Sequence, residues 1–441
     1  MPRSVCFLCV LSLLLVTGSA YAAGGLLATP SWIYETKETS FATVAGDVNG
    51  DGCDDILVAD YLYSTTGDEI VRLRLYYGRH CGTPEFSGWF FEFEDHSFFR
   101  FAGIGDVNGD GYADVMAYAY FQPIMLFYGS EDGLQPGREW LQEYNFQEIG
   151  DVNGDGYDDL IVDGELVFYG SDKGPGNEPD WQFSEDVIVE YAAGHLDFNG
   201  DGYGDLIIRS GISIYFYSGG PDGLADEYSA MIDEPKYFFV SSQIHSAGDI
   251  NGDGVDEIII FGDQYCRSNR CLALEGGMFI FTIDAGNGND PYVVWKRYGD
   301  LIGWDYYLFL LNEVVGGYDL NGDGFDDVVA TLDLVHYPES YDDIYVYLGS
   351  PQGFSYEPDL ILKNIPTPWG RPPDISGDIN GDGCHDLLVT SYGYSSGYFT
   401  MLFDGYSENG EIAGCRRHDP TAPNFSAGAK FSLPSADRLI Y

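Results

Sequence analysis

Basic residues are scarce. Lysine and arginine together number 20 against 71 aspartates and glutamates, a formal charge of −51. That excludes the basic footprint by which proteins grip nucleic acid or anionic lipid. Long apolar runs are scarce too. Val5 to Val16 is too short to cross a membrane as an ordinary helix, and no second run follows. With Arg3 before it and Ala20-Tyr21-Ala22 after it, the run reads as a secretory leader, residues 1–22, cleaved after Ala22. A secreted or periplasmic chain without a transmembrane segment is expected, most simply a monomer. No CxxC or Cys/His zinc pattern occurs, and no HExxH, GxSxG or Walker motif. The seven histidines are scattered, so no catalytic residue is assigned.

What is abundant is aromatic residues, at 16%, and acids. The acids recur in a pattern. GDVNGDGCDDILV begins at Gly46, and six related strings follow. Their first aspartates are Asp47, Asp106, Asp151, Asp197, Asp249, Asp319 and Asp378, spaced by 59, 45, 46, 52, 70 and 59 residues. Each string reads D-x-N-x-D-G-x-x-[DE] over nine residues. Position 3 is Asn49, Asn108, Asn153, Asn199, Asn251, Asn321 and Asn380. Position 5 is Asp51, Asp110, Asp155, Asp201, Asp253, Asp323 and Asp382. Position 9 is Asp55, Asp114, Asp159, Asp205, Glu257, Asp327 and Asp386.

Hard oxygens at positions 1, 3, 5 and 9, around a glycine at 6, suit calcium, which takes six to eight oxygens. Position 7 would lend its backbone carbonyl, from Cys53, Tyr112, Tyr157, Tyr203, Val255, Phe325 and Cys384. About seven calcium ions are expected. An EF-hand is excluded, because its position 12 must be a bidentate glutamate. Here that position is Val58, Ala117, Val162, Ile208, Ile260, Ala330 and Val389.

Strands, not helices, follow the loops. Ile56-Leu57-Val58 and Ile258-Ile259-Ile260 are continuous apolar runs of the kind buried on both faces. A second strand ends in a glycine turn, as in RLRLYYG and IMLFYGSEDGL. A third segment carries bulky residues, as in GWFFEFE and YVVWKR, and a fourth leads into the next loop. Four short strands per repeat make a propeller blade. After the seventh loop only two good strands follow, while Ser31-Trp32-Ile33-Tyr34-Glu35 stands unowned ahead of the first. The expected fold is an all-β, seven-bladed propeller over residues 23–415, its N-terminal strand completing the last blade.

These motifs resemble FG-GAP repeats, the class found in the head of integrin α-subunits. The resemblance runs from about residue 31 to 410. It implies calcium in the hairpin loops and a role in adhesion or ligand recognition, with an extracellular protein or glycan as partner. The Gly-Ala-Pro signature is absent, Val58-Ala59-Asp60 standing in its place, and Leu196 precedes the fourth loop where most copies have glycine. The alternative is a calcium-dependent, lyase-like polysaccharide enzyme on the same scaffold.

In a meander blade the calcium loops share a face with the third-to-fourth turns. The opposite face carries the remaining connections and with them Tyr61, Tyr63, Tyr120, Trp304, Tyr306, Tyr337, Trp369 and Tyr392, candidates for ligand contact. Six cysteines remain after the leader, an even count that suggests disulfides. Cys53 and Cys384 both occupy position 7. Cys81 and Cys415 both follow the next strand but one. The expected pairs are Cys53–Cys81, Cys384–Cys415 and Cys266–Cys271. Residues 416–441 lack periodicity and read as an extended or disordered tail.

Overall fold

A computed structural model of the chain describes residues 25–26 and 30–406, apart from the stretches 64–68, 95–98, 120–122, 143–145, 185–186, 212, 233–242, 263–276, 285–289, 299–308, 337–338, 366–373 and 394–396. The described residues are strand and turn, with no helix among them. They form seven four-stranded antiparallel sheets, the blades of a propeller. Blade one holds Ser40–Gly46, Asp55–Tyr63, Glu69–Tyr77 and Glu85–Glu94, paired in that order. Blades two to six run over 99–142, 146–182, 191–232, 243–298 and 309–365.

Blade seven closes the ring. Its strands Asp374–Gly377, Asp386–Gly393 and Gly397–Phe403 come from the end of the described chain, and its outer strand is Trp32–Thr36. The register sets Trp32 opposite Leu402, Tyr34 opposite Thr400 and Thr36 opposite Tyr398. A second short pairing, Gly25 with Tyr406 and Leu26 with Gly405, adds to the closure.

The core explains why the strands after the loops are apolar on both faces. Buried residues gather into seven clusters, one between each pair of neighbouring blades. In blade one Leu57 and Ala59 face blade two beside Val115 and Ala117, while Ile56 and Val58 face blade seven beside Leu388 and Leu402. Alternate residues of one strand thus feed two cores. Trp32 and Tyr34 pack into the blade-seven cluster, so the closing strand is held by side chains as well as by its ladder.

Candidate metal-binding face

All seven Asp/Asn loops join the first and second strands of their blades, which puts them on one face. Each begins from an anchor that the pattern leaves unspecified. Position 2 is Val48, Val107, Val152, Phe198, Ile250, Leu320 or Ile379, and every one is fully buried. With position 2 pinned in the core, the position-1 carboxylate folds back over its own loop. Asp47 Oδ1 accepts from the N–H groups of Gly50 and Asp51, and Oδ2 from Gly52, at 2.7, 3.1 and 2.8 Å. Asn49 Oδ1 accepts from Asp51 N–H at 2.9 Å, and Asp51 Oδ1 from Cys53 N–H at 3.0 Å. The third and fourth loops repeat this set at closely similar lengths. The loop's own N–H groups thereby fix the side chains of positions 1, 3 and 5 in one orientation.

Position 9 closes the loop from below. Asp55 is fully buried; Oδ2 accepts from Val48 N–H at 3.1 Å and Oδ1 from Gly78 N–H at 2.9 Å. Asp159, Asp205, Asp327 and Asp386 do the same with Gly170, Gly219, Gly349 and Gly405. This is why a glycine follows the third strand of those blades: a Cβ on Gly78 would drive into the carbonyl of Asp54. Glu257 keeps the bond to position 2, from Ile250 N–H at 3.2 Å, and its longer side chain also accepts from Asn251 Nδ2 at 2.8 Å.

Burial pushes the carboxyls of Asp55, Asp114, Asp159, Asp205, Glu257 and Asp327 up to about 8, against the opposing pull of the backbone N–H groups on them. Burial likewise raises Asp386 well above the ordinary carboxylate range. Burial thus favours the neutral acid at these seven positions, and only a nearby positive charge would keep them ionised at neutral pH. In loop seven two buried oxygens, Asn380 Oδ1 and Asp382 Oδ2, have no hydrogen-bond donor. Among the described residues no three His, Cys, Asp or Glu side chains already converge on one point. The loops nonetheless carry hard oxygens, some buried and unsatisfied, held by main-chain N–H groups, and oxygens are the donor type that a hard divalent cation takes.

The loops also bind one another. In all seven, the N–H of position 8 donates to the carbonyl of position 1 in the preceding loop, from Asp54 to Asp378, Ala113 to Asp47, and so round to His385 and Asp319, at 2.9–3.2 Å. Where position 8 is aspartate, the bond is answered: Asp54, Asp158, Asp256 and Asp326 accept from the position-1 N–H of Asp378, Asp106, Asp197 and Asp249. Before loop four, where Leu196 replaces glycine, the left-handed turn moves back one residue to His195, at φ 57°. The visible signal for this clasp was the paired acid at positions 8 and 9, whose first member has no part in a calcium loop.

The cysteines correct the expected disulfides. Cys53 and Cys384 are free and buried, whereas Cys81 is disulfide-bonded. Neither Cys53–Cys81 nor Cys384–Cys415 forms. The reason lies in position 7, whose side chain points onto position 4 of the preceding loop. A Cβ on Gly50 would lie 2.7 Å from the Tyr112 ring, and one on Gly381 2.8 Å from Cys53 Sγ. Position 7 is a packing site between loops. Cys266, Cys271 and Cys415 lie outside the described residues.

Of the aromatic candidates on the other face, Tyr61 is half-buried, edge-on to Phe41 at 5.8 Å, and Phe41 in turn meets Tyr398 at 6.2 Å. Tyr61 is thus part of the packing near the seam. Tyr63 and Tyr392 sit near strand ends, and their side chains, with Tyr120, Trp304, Tyr306, Tyr337 and Trp369, lie outside the described residues.

A family model described as an FG-GAP-like repeat matches residues 319–389, from the sixth loop through the seventh. Integrin alpha-IIb of Mus musculus is 28% identical over 152 residues, covering 33% of this chain and 14% of that protein. Integrin alpha-IIb of Homo sapiens is 27% identical over 151 residues, with the same shares. The match therefore spans a small part of either relative. Among solved structures, the β-propeller domain of Nup133 from Vanderwaltozyma polyspora is 9% identical at a TM-score of 0.39, covering 85% of this chain and all of that one.

Proposed function

We propose that this seven-bladed propeller of FG-GAP-type repeats is a secreted, calcium-binding module that recognises an extracellular protein or glycan. One observation carries the reading. The two faces differ in kind: one bears seven like loops hydrogen-bonded in a ring, and the other bears the long connections. Ile232, Gly262, Tyr298 and Ile365 end second or fourth strands on the face away from the loops, and in sequence 8 to 14 residues separate each from the next strand. A face of like loops suits structural ions, and long connections between strands are where specific ligand contacts are commonly carried.

In each loop, positions 1, 3, 5 and 9 would hold calcium by side-chain oxygen and position 7 by its carbonyl; Glu257 takes position 9 in the fifth. The ion would supply the charge that the buried carboxylates lack. Its work is structural, fixing the loops from which the ring of inter-loop hydrogen bonds is made. The free face then keeps one shape. Similarity to part of integrin alpha-IIb supports a binding role over a catalytic one.

The test is to probe the mature protein against arrays of glycans and extracellular-matrix proteins, with calcium and with chelator. Binding to one class, lost in chelator, is expected. Binding that survives chelation, in a protein that also melts unchanged, would overturn the calcium part of the reading. Turnover of a polysaccharide without retained binding would overturn the rest.

A further inference from the structure

We infer that the seven loops fall into two classes of calcium affinity, set by the position-8 residue of the next loop round, which is a positioning residue for the position-1 aspartate. The inference rests on the calcium reading above. Each position-1 carboxylate accepts from N–H groups of its own loop, so the backbone that carries it decides where its oxygens stand. In loops two, four, five and seven that backbone is gripped twice. Asp158, Asp256, Asp326 and Asp54, at position 8 of the next loop, each give an N–H to the position-1 carbonyl at 2.9–3.2 Å. Each also takes the position-1 N–H on Oδ2, at 2.6–2.8 Å. Both main-chain groups of Asp106, Asp197, Asp249 and Asp378 are thereby tied to a neighbouring blade.

Loops one, three and six are gripped once. Ala113, Gly204 and His385 give their N–H to the carbonyls of Asp47, Asp151 and Asp319 at 2.9–3.0 Å, but none has a carboxylate with which to answer. His385 sets its Nδ1 3.3 Å from the same Asp319 carbonyl, a second contact to the group already held. Beside Gly204 a different pair occurs: Glu148 Oε1 accepts from Gly150 N–H at 2.6 Å and lies 3.3 Å from His195 Nδ1. That pair holds the residue before position 1, not position 1 itself. Bonds inside the loops do not sort the same way. Loops three and four share one internal set, although the third is gripped once and the fourth twice. The difference comes from the neighbour.

A carboxylate that accepts a main-chain N–H makes a charge-assisted hydrogen bond, and a site held ready loses less affinity to ordering. The extra anion beside the loop also attracts a cation. Both effects act in one direction. Loops two, four, five and seven should fill at about tenfold lower calcium than loops one, three and six. Loop five also differs at Glu257, so two, four and seven make the cleaner comparison. The junction between loops one and two is a natural copy of the next one with the carboxylate removed. Gly46 and Gly105 precede position 1 in the same left-handed turn, at φ 79° and 67°. A Cβ on Gly46 would lie 2.6 Å from Ala113 Cβ, and one on Gly105 2.9 Å from Asp158 Cβ.

Hydrogen exchange of the mature protein across a calcium titration, read peptide by peptide, gives each loop its own midpoint. Loops two, four and seven should become protected at lower calcium than one, three and six. Asp158→Ala reproduces the Ala113 junction and should raise the loop-two midpoint to that of loop one, while loops four and seven hold. Asp158→Asn keeps an accepting oxygen and should raise it less. Ala113→Asp should lower the loop-one midpoint. Three outcomes overturn the proposal and leave the calcium reading standing: a single class of midpoints, midpoints that neither Asp158→Ala nor Ala113→Asp moves, or a shift of loop three, which owns Asp158, in place of loop two. No response to calcium in any loop defeats the calcium reading and this inference with it. Ala113→Asp adds a contact, so it decides the matter even if Asp158→Ala fails to fold.

Discussion

The Tyr34 hydroxyl donates to Asp60 Oδ2 at 2.8 Å, across the seam where the N-terminal strand meets blade one. Arg74 pairs with the same carboxylate and donates to Tyr34 at 3.2 Å. Asp60 is 1% exposed, and its Oδ1 has no donor. The seam thus holds a buried carboxylate that depends on one guanidinium and one phenol. Arg74→Ala should cost about 3–5 kcal/mol, since it strands that charge. Tyr34→Phe should cost about 1 kcal/mol. Replacing Arg74 and Asp60 together by leucine should cost far less than Arg74→Ala. Urea unfolding of the variants checks the order; equal losses from Arg74→Ala and Tyr34→Phe would show that the pair carries no special load.

Removing calcium should destabilise the whole molecule. With free calcium near 1 mM and a Kd near 0.1 mM, each site contributes about 1.4 kcal/mol. Several sites together would rival the net stability of a domain. Scanning calorimetry with calcium and with chelator should show a fall of many degrees. Asp327→Asn, at a buried position 9, should reduce the gap between the two melts by about one site's worth.

Deleting 32–36 should injure the far end of the chain. Those residues pair with Gly397–Phe403. Hydrogen exchange should rise over 378–403, not over the first loop alone. Exchange confined to residues near Asp47 would place the strand with blade one instead.

His245 should give the molecule an acid limb. Burial lowers its pKa from 6.5 to about 4, with Nε2 buried and the ring stacked on Phe261 at 5.7 Å. A histidine depressed in the folded state adds stability above its unfolded pKa and loses it as the pH falls toward 4. Between pH 7 and 4, a His245→Gln variant should lose less stability than the parent. Parallel pH profiles would remove His245 as a cause.

The periodic parts of this fold were legible because they repeat. Seven copies of one loop gave the blade count, and the orphan Trp32 segment gave the closure, since a hydrophobic strand without a blade must find one. What escaped reading was lateral. Position 7 reads as one more loop residue until its side chain is seen on position 4 of the loop before it. Cys53 and Cys81 therefore read as partners within a blade, although Cys53 packs against Gly381 of another. Asp54, Asp158, Asp256 and Asp326 likewise read as surplus acid, because the group each one accepts from belongs to a different repeat. Local pattern specifies a repeat; contacts between repeats depend on which neighbour the ring supplies.

The ring of position-8 to position-1 hydrogen bonds has a consequence for where the chain can be cut. An open array frays from its terminal repeats, each held on one side only. Here every loop has a neighbour on both sides, so the termini mark only where the backbone happens to be interrupted. Circular permutants that join the native ends and reopen the backbone in a connection such as 143–145 should fold to the same seven blades. In them blade seven would become an ordinary blade, and blades two and three would inherit its vulnerability.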